Sequence, residues 1–212
     1  MPEVVADQHE LLARATELAT SGGRRLLGIA GPPGAGKSTL AARLAGALGP
    51  ELALLVPMDG FHLADVELRR LGTSDRKGAP HTFDAYGYAA LLRRLRAPRE
   101  GETVYAPGFD RELEQPVAGS LPVPPEVPLV ITEGNYLLLD EPAWRPVRAL
   151  LDACWWVSLE EGIRVRRLVD RHVRFGKSRA EAESWVQRSD QANARLVVPG
   201  REAADLVVEL PV

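Results

Sequence analysis

Lysine, cysteine and long apolar segments are all scarce in this chain of 212 residues. Of its 26 basic residues only three are lysines, namely Lys37, Lys77 and Lys177. The single cysteine, Cys154, cannot form a disulfide within the chain, which fits a reducing compartment. No apolar run approaches the roughly 18 residues that a membrane-spanning helix needs. These absences predict a cytoplasmic protein without a membrane partner.

An excess of positive charge is also missing, because the formal net charge is -3. This balance argues against nucleic acid as a partner. Hydrophobic residues make up 45% of the chain and charged residues 26%, as in ordinary globular proteins. The length suits one domain over residues 1–212 that carries one sizeable insertion. A homodimer is the expected assembly for an enzyme inside the cell.

Short apolar runs alternate with stretches of helical spacing along most of the chain. The runs are RLLGIA at 25–30, LALLVPM at 52–58, LVIT at 129–132, CWWVSL at 154–159 and DLVVEL at 205–210. This alternation predicts an α/β fold with a parallel sheet of five strands, covered on both faces. Residues 3–18 have the apolar spacing of a helix, and so do residues 37–48. The proline-rich segment at about 60–127 is too long for a crossover and is predicted to be a functional insertion.

A phosphate-binding loop is the strongest motif in the sequence. GPPGAGKS at 31–38 matches G-x-x-x-x-G-K-[ST] between a predicted strand and a predicted helix. In this pattern Lys37 reaches the β- and γ-phosphates, and Ser38 offers its hydroxyl to Mg²⁺. The predicted nucleotide-binding residues are Gly31, Gly34, Ala35, Gly36, Lys37, Ser38 and Thr39.

Two carboxylates follow apolar runs directly, Asp59 in VPMDGFH and Glu133 in VITEGNY. Ligands of parallel sheets bind outside the carboxyl ends of the strands, so we expect both side chains beside the phosphate-binding loop. There a carboxylate can hold Mg²⁺ or accept the proton of an attacking hydroxyl. The alternative for each is a helix cap or a turn residue.

Four segments, GPPGAGKST, VPMDGFHL, KGAPHTFDAYGY and VITEGNYLLL, together resemble the P-loop small-molecule kinases. This group includes uridine kinase, bacterial pantothenate kinase, phosphoribulokinase and relatives described as nucleoside/nucleotide kinase-like or fructose-transport kinases. The resemblance implies a three-layer P-loop fold like that of nucleoside monophosphate kinases, with a substrate-binding insertion, a helical lid, and ATP and Mg²⁺ as cofactors. It also implies that Asp59 is the general base, and that Glu133 acts with Ser38 on the magnesium side.

The insertion carries the predicted contacts of the phosphate acceptor. Lys77 and Asp84 lie in a segment similar to the KG-x-P motif of pantothenate kinases and to the FD motif of uridine kinases. The segment YAPGFDR resembles the substrate-side hairpin of the same kinases. The predicted acceptor-binding residues are Asp59, His62, Lys77, Asp84, Tyr105, Phe109 and Arg111. Packing or surface roles remain the alternative for the insertion residues.

Four arginines, Arg164, Arg167, Arg171 and Arg174, are spaced three or four apart and would share one face of a helix. A solvated charged face is the usual explanation of such a stripe. The resemblance instead implies a lid at about 164–180, in which Arg171 and Arg174 close over the transferring phosphate. It also implies that Asn193 lies near the adenine.

The function that these patterns favour is an ATP-dependent kinase that phosphorylates a hydroxyl of a small metabolite, such as a nucleoside, pantothenate or a sugar. The catalytic residues would be Lys37, Asp59, Glu133, Arg171 and Arg174. A P-loop ATPase that acts as a switch without a small-molecule acceptor is the alternative. The large acceptor-like insertion and Asp59 favour the kinase over this alternative.

Overall fold

A wholly parallel β-sheet of six strands forms the centre of the protein in a computed structural model, which describes residues 2–210. The strands of the chain are β1 (Glu3–Val5), β2 (Arg25–Ala30), β3 (Ala53–Leu55), β4 (Val104–Asp110), β5 (Gln115–Val123), β6 (Leu129–Gly134), β7 (Ala153–Ser158) and β8 (Leu206–Glu209). The central sheet has the order β1-β8-β7-β2-β6-β3, and β4 and β5 form a separate antiparallel hairpin. The strand before the phosphate-binding loop, β2, therefore lies inside the sheet.

Eight α-helices surround this sheet within residues 2–210. They are α1 (Gln8–Thr20), α2 (Lys37–Leu48), α3 (Asp65–Leu71), α4 (Ala85–Arg96), α5 (Arg145–Arg148), α6 (Glu161–Arg174), α7 (Arg179–Trp185) and α8 (Gln191–Val197). A π-helical turn over Val186–Asp190 joins α7 directly to α8, and a 3₁₀ turn over Met58–Phe61 follows β3. No helix in the part of the chain that the structure describes is long and apolar enough to cross a bilayer.

The α/β fold is confirmed, but the expected number of five strands is wrong. The sixth strand, β1, pairs in parallel with β8 at the edge of the sheet. Residues 3–18 were expected to form one helix, whereas α1 begins at Gln8 after the side chain of Asp7 caps its N-terminus. The side chain of Asp7 accepts hydrogen bonds from the amides of His9 and Glu10, which sets the boundary between strand and helix.

Both faces of the sheet are covered, as the near-continuous apolar strands predict. In β2, Leu27 and Ile29 point into a core shared with α1 and α2, and Leu26 and Ala30 point into a second core on the opposite face. All four side chains are fully buried. Alternation of a buried strand between two apolar layers is typical of parallel sheets covered by helices.

Part of the predicted insertion belongs to the main core rather than to a separate lobe. Helix α4 buries Tyr88, Leu92 and Leu95 in the same core as Leu26. The hydroxyl of Tyr88 also hydrogen-bonds Thr132 on β6. Strands β4 and β5 of the insertion form an antiparallel hairpin outside the central sheet, and Val104, Ala106 and Val123 anchor it in this core.

The hairpin packs tightly against the 3₁₀ turn that follows β3. A Cβ atom added at Gly60 would lie 2.2 Å from the carbonyl oxygen of Pro107 on β4. Because only glycine allows this approach, Gly60 fixes the distance between the hairpin and the turn that carries Asp59. The turn and the hairpin together form one wall of a cleft at the edge of the sheet.

Candidate active site

A cleft of about 900 Å³ opens at the carboxyl edge of the sheet. Its walls come from the phosphate-binding loop, the segments after β3 and β6, the insertion, and the helices α6 and α8. All three lysines of the chain, Lys37, Lys77 and Lys177, line this cleft. The scarcest basic residue is thus confined to one functional surface.

The phosphate-binding loop joins β2 to α2 as the motif requires. Gly36 has φ of +102°, a left-handed conformation that brings the chain into the first turn of α2. Gly34, Gly36, Lys37, Ser38 and Thr39 all line the cleft. Helix α2 therefore presents its N-terminus to the cleft, where backbone N–H groups favour an anion.

Two predicted nucleotide-binding residues, Gly31 and Ala35, lie under the loop instead of on its surface. A Cβ atom at Gly31 would lie 2.7 Å from the carbonyl oxygen of Val157 on β7. Ala35 is fully buried in the core below α2. Their contribution is to let the loop pack closely on the sheet.

Lys37 is held inside the cleft by two oxygen atoms. Its Nζ donates to Oδ1 of Asn135 at 2.6 Å and to the carbonyl oxygen of Pro32 at 3.1 Å. Burial lowers the pKa of Lys37 to about 8, although the charges of Glu133 and Asp59 oppose this shift. A bound phosphate would favour the charged form of this amine, as expected for a phosphate-binding lysine.

Ser38 and Glu133 form the candidate magnesium site. The hydroxyl of Ser38 donates to Oε1 of Glu133 at 2.8 Å, and Glu133 is almost fully buried. Burial, followed by the negative charge of Asp59, raises the pKa of Glu133. An oxygen pair of this kind beside a phosphate-binding loop suits Mg²⁺, which prefers a few protein oxygens together with water and phosphate. These two residues therefore fit the predicted ion.

Asp59 lies on the 3₁₀ turn after β3 and faces the same cleft. Its Oδ2 accepts a hydrogen bond from Nη2 of Arg111 on the hairpin at 2.8 Å. The backbone carbonyl of Asp59 accepts a second one from Nδ1 of His62 at 2.8 Å. The pair of carboxylates, Asp59 and Glu133, is thus brought together as the strand ends indicated.

Aromatic rings and Lys77 form the far end of the cleft. The ring of His62 lies between Phe83 and Phe109, with centroid distances of 4.0 and 4.8 Å. The guanidinium of Arg111 lies 5.1 Å from the Phe109 centroid. The Nζ atom of Lys77 contacts Oδ1 of Asp65 at 2.7 Å and the carbonyl of Glu114 at 2.6 Å. We refer to this part, which comprises His62, Lys77, Phe83, Phe109 and Arg111, as the acceptor end.

Three further residues predicted from the sequence do not line the cleft. Asp84 caps α4 by accepting a hydrogen bond from the amide of Gly87, and its side chain is exposed. Tyr105 on β4 is exposed on the hairpin. Arg174 is exposed in the last turn of α6. Asp84 is therefore a helix cap, and Tyr105 and Arg174 are surface residues.

Arg171 lines the cleft together with Arg167, one turn earlier on α6. A Cβ atom at Gly34 would meet Leu168 at 2.7 Å, so this helix packs directly on the phosphate-binding loop. Arg164 is buried, and its Nη1 donates to the carbonyl of Pro33 at 3.1 Å. The regular spacing of the arginines showed that Arg167 shares a helix face with the others. It could not show that Arg167 and Arg171 line the cleft whereas Arg164 and Arg174 do not.

Helix α8 and the π-helical turn contribute residues that the sequence patterns did not single out. His172 Nε2 and Asp190 Oδ2 are 2.9 Å apart, and this contact joins α6 to the turn. Asn193, which the resemblance placed near the adenine, also lines the cleft, and its Nδ2 donates to the carbonyl of Gly78 in the insertion at 3.2 Å. π-helical turns often occur at functional sites. Asn135, which positions Lys37, was likewise missed because it follows Glu133 without a motif of its own.

A parallel sheet with a phosphate-binding loop, two carboxylates at neighbouring strand ends and an arginine-bearing helix packed on the loop defines a P-loop phosphotransferase. Comparison with known proteins narrows this class. The family model described as "Phosphoribulokinase / Uridine kinase family" matches residues 26–211. The chain belongs to this family. Membership makes it an ATP-using kinase whose phosphate acceptor is an alcohol group.

Individual relatives cover nearly the whole chain. A Schizosaccharomyces pombe protein described as "Putative uridine kinase C227.14" is 36% identical over 97% of this chain and 91% of its own length. The Escherichia coli protein YggC is 36% identical over 88% of this chain and 78% of its own length. The solved structure of a "putative fructose transport system kinase" from Silicibacter sp. TM1040 has a TM-score of 0.85 at 38% identity, covering 96% of this chain and 99% of that one.

Saccharomyces cerevisiae YFH7 has the same fold, with a TM-score of 0.81 at 18% identity over 98% of this chain and all of that chain. The names of these relatives differ, since one mentions uridine and another a fructose transport system. The family is therefore established while the acceptor of this chain is left to the geometry of its own cleft.

Proposed function

We propose that the protein transfers the γ-phosphoryl group of Mg-ATP directly to a hydroxyl group of a small metabolite bound at the acceptor end. The observation that carries this proposal is the convergence of Asp59 and Glu133 beside Lys37 and Ser38 in one cleft. An ATPase that only hydrolyses the nucleotide needs no further extension of the cleft lined by aromatic and basic residues such as Phe109, Lys77 and Arg111.

Asp59 is the proposed general base. Arg111 occupies only Oδ2 of this carboxylate, so Oδ1 is available to accept the proton of the attacking hydroxyl. Lys37, Arg167 and Arg171 would bind the phosphate oxygens, where charge accumulates during transfer. Mg²⁺ held by Ser38 and Glu133 would supply further charge neutralisation between the phosphates.

The test is ADP release with Mg-ATP by the wild-type protein and by Asp59→Asn, measured with and without uridine, cytidine, pantothenate, fructose and other sugars. We expect turnover to depend on an acceptor and to fall by about 10²- to 10⁴-fold in the variant, because proton transfer is lost while the shape is kept. The affinity for ATP should remain close to that of the wild type.

Asp140→Asn is the matched control, because Asp140 is an exposed carboxylate paired with Arg145 outside the cleft. It should leave turnover unchanged. ADP release that ignores every acceptor and survives Asp59→Asn would instead support the ATPase switch. An Asp59→Asn enzyme with normal acceptor-dependent turnover would remove Asp59 from the role of base.

A further inference from the structure

We propose that the acceptor is an uncharged compound with at least two hydroxyl groups, and that Asp190 binds one of them while Asp59 acts on another. This inference rests on the proposed kinase function and narrows the class of its substrate. It comes from the way in which charged side chains are paired around the cleft.

Cations of the acceptor end are already neutralised by carboxylates of the chain. Arg111 pairs with Asp59 at 2.8 Å, and Lys77 pairs with Asp65 at 2.7 Å. An anionic acceptor would have to displace one of these partners and leave a carboxylate nearby. A neutral acceptor meets no such cost.

Cations without a carboxylate partner lie on the lid. Within residues 2–210, Arg167, Arg171 and Lys177 line the cleft and have no carboxylate oxygen within 4.0 Å. The helix of Arg167 and Arg171 packs on Gly34 of the phosphate-binding loop, and the charge of Arg171 lowers the pKa of Lys37 after the effect of burial. The positive charge that Arg167 and Arg171 leave available therefore lies on the helix that packs against the phosphate-binding loop.

Asp190 has the orientation and burial of a ligand-binding group. Its side chain is 11% exposed, and His172 holds its Oδ2 at 2.9 Å. Its Oδ1 has no hydrogen-bond partner among the residues that the structure describes, although Asp190 lines the cleft. Since this oxygen is accessible from the cleft, a ligand with a hydrogen-bond donor can bind it in place of water. A hydroxyl group is such a donor and carries no charge.

The two carboxylates are arranged alike and line the same cleft. In each, a basic side chain orients Oδ2 and leaves Oδ1 open, Arg111 for Asp59 and His172 for Asp190. Both negative charges act on the buried hydroxyl of Tyr136, whose pKa is raised first by burial and then by Asp190 and Asp59. Their helices and loops are also linked, because Tyr136 and Asn193 both donate to the carbonyl of Gly78. The geometry suits a molecule that offers hydroxyl groups to both sides.

The experiment compares the two uncharged acceptors uridine and fructose with the two acids pantothenate and glycerate, at saturating Mg-ATP. We expect acceptor-dependent ADP release with an uncharged compound. In Asp190→Asn the KM for that acceptor should rise about tenfold or more, because a charge-assisted hydrogen bond becomes a neutral one. The Kd for ATP should stay the same, which also shows that the variant is folded.

His172 is a positioning residue in this proposal, so its variants separate orientation from simple packing. His172→Gln keeps a donor and should preserve most of the affinity for the acceptor, whereas His172→Phe should raise the acceptor KM as Asp190→Asn does. Asp170→Asn is the matched control on α6, since this exposed carboxylate neither lines the cleft nor has an ion pair among residues 2–210. If Asp190→Asn does not bind ATP, the pair of His172 variants carries the same test.

The possible failures can be told apart. Turnover with the acids alone would overturn the inference and leave the kinase intact. An unchanged acceptor KM in Asp190→Asn and His172→Phe would overturn the role of Asp190. ADP release that is equal with and without every acceptor would overturn the proposed function itself.

Discussion

Asn135 shows how a single amide positions the most important cation of the cleft. Its Oδ1 lies 2.6 Å from Nζ of Lys37, and only the carbonyl of Pro32 supports this amine besides. The buried amine needs both acceptors, because each lost hydrogen bond leaves part of its charge unsatisfied. Asn135, which follows the strand-end glutamate and glycine, is thus part of the proposed phosphate site.

We expect Asn135→Ala to weaken ATP binding by about tenfold, as for the loss of one hydrogen bond to a charged group. Isothermal titration calorimetry with Mg-ATP measures this change. Gln187→Ala removes an exposed amide from the π-helical turn outside the cleft and should not alter the affinity. An unchanged affinity in Asn135→Ala would mean that Pro32 alone positions Lys37.

Cys154 presents the opposite case, a potentially reactive group that the fold keeps inert. It is fully buried on β7, and burial raises the pKa of its thiol to about 12. At pH 8 the folded protein should therefore react very slowly with a thiol reagent such as Ellman's reagent, and the protein in guanidinium chloride should release one equivalent of product. Rapid labelling of the folded protein would contradict this burial.

The sequence could predict the position of a residue where a general rule of the fold applies, but not where the position depends on how two distant elements pack. Asp59 and Glu133 were found because strand ends converge in any parallel sheet. Asp84 could not be separated from a cap of α4, since an aspartate before a helix suits both roles. Asp190 and His172 are 18 positions apart and meet only because α6 and the π-helical turn pack together.

The hairpin and the 3₁₀ turn of Asp59 act as one unit because they contact each other through Gly60. Gly60→Ala would place a methyl group 2.2 Å from the carbonyl oxygen of Pro107, which forces the two elements apart. We expect a loss of about 1–3 kcal/mol in the free energy of unfolding, as for other overpacked sites. Urea unfolding followed by circular dichroism measures it.

Gly46→Ala is a matched control, because this glycine lies inside α2 and an added Cβ would meet nothing within 4 Å. The same chemical change should there raise the free energy of unfolding by about 0.5–1 kcal/mol, since alanine favours a helix over glycine. Equal effects at both positions would show that the contact between Gly60 and Pro107 does not constrain the hairpin.

Long elements were predictable and short ones were not. The helix after the phosphate-binding loop extends over Lys37–Leu48, as its apolar spacing predicts. Strand β1 has only three residues, and its pairing with β8 joins opposite ends of the chain. The apolar spacing near residues 3–5 cannot show that they pair with β8, so these residues were assigned to the helix that follows. Similarly, α4 was hidden in the insertion because its partners in the core come from distant strands.

At the scale of the whole molecule, the active-site cleft is assembled from segments that are far apart in sequence. The phosphate-binding loop, the carboxyl ends of β3 and β6, the hairpin and the α6–α8 region meet at one edge of the sheet. In the proposed function, this arrangement would place the nucleotide and the acceptor between the sheet, the hairpin and the α6–α8 region. The homodimer expected for such an enzyme stays a prediction.

The confinement of every lysine to the cleft makes the protein a natural target for chemical footprinting. An amine-reactive probe such as an N-hydroxysuccinimide ester would have only Lys37, Lys77, Lys177 and the α-amine to modify. We expect Lys77 and Lys177 to be modified before Lys37, which is buried. Mg-ATP should then slow labelling of Lys177 and an acceptor should slow labelling of Lys77, as read by peptide mass spectrometry. Ligand occupancy of each half of the enzyme could thus be followed without introducing a label by mutation.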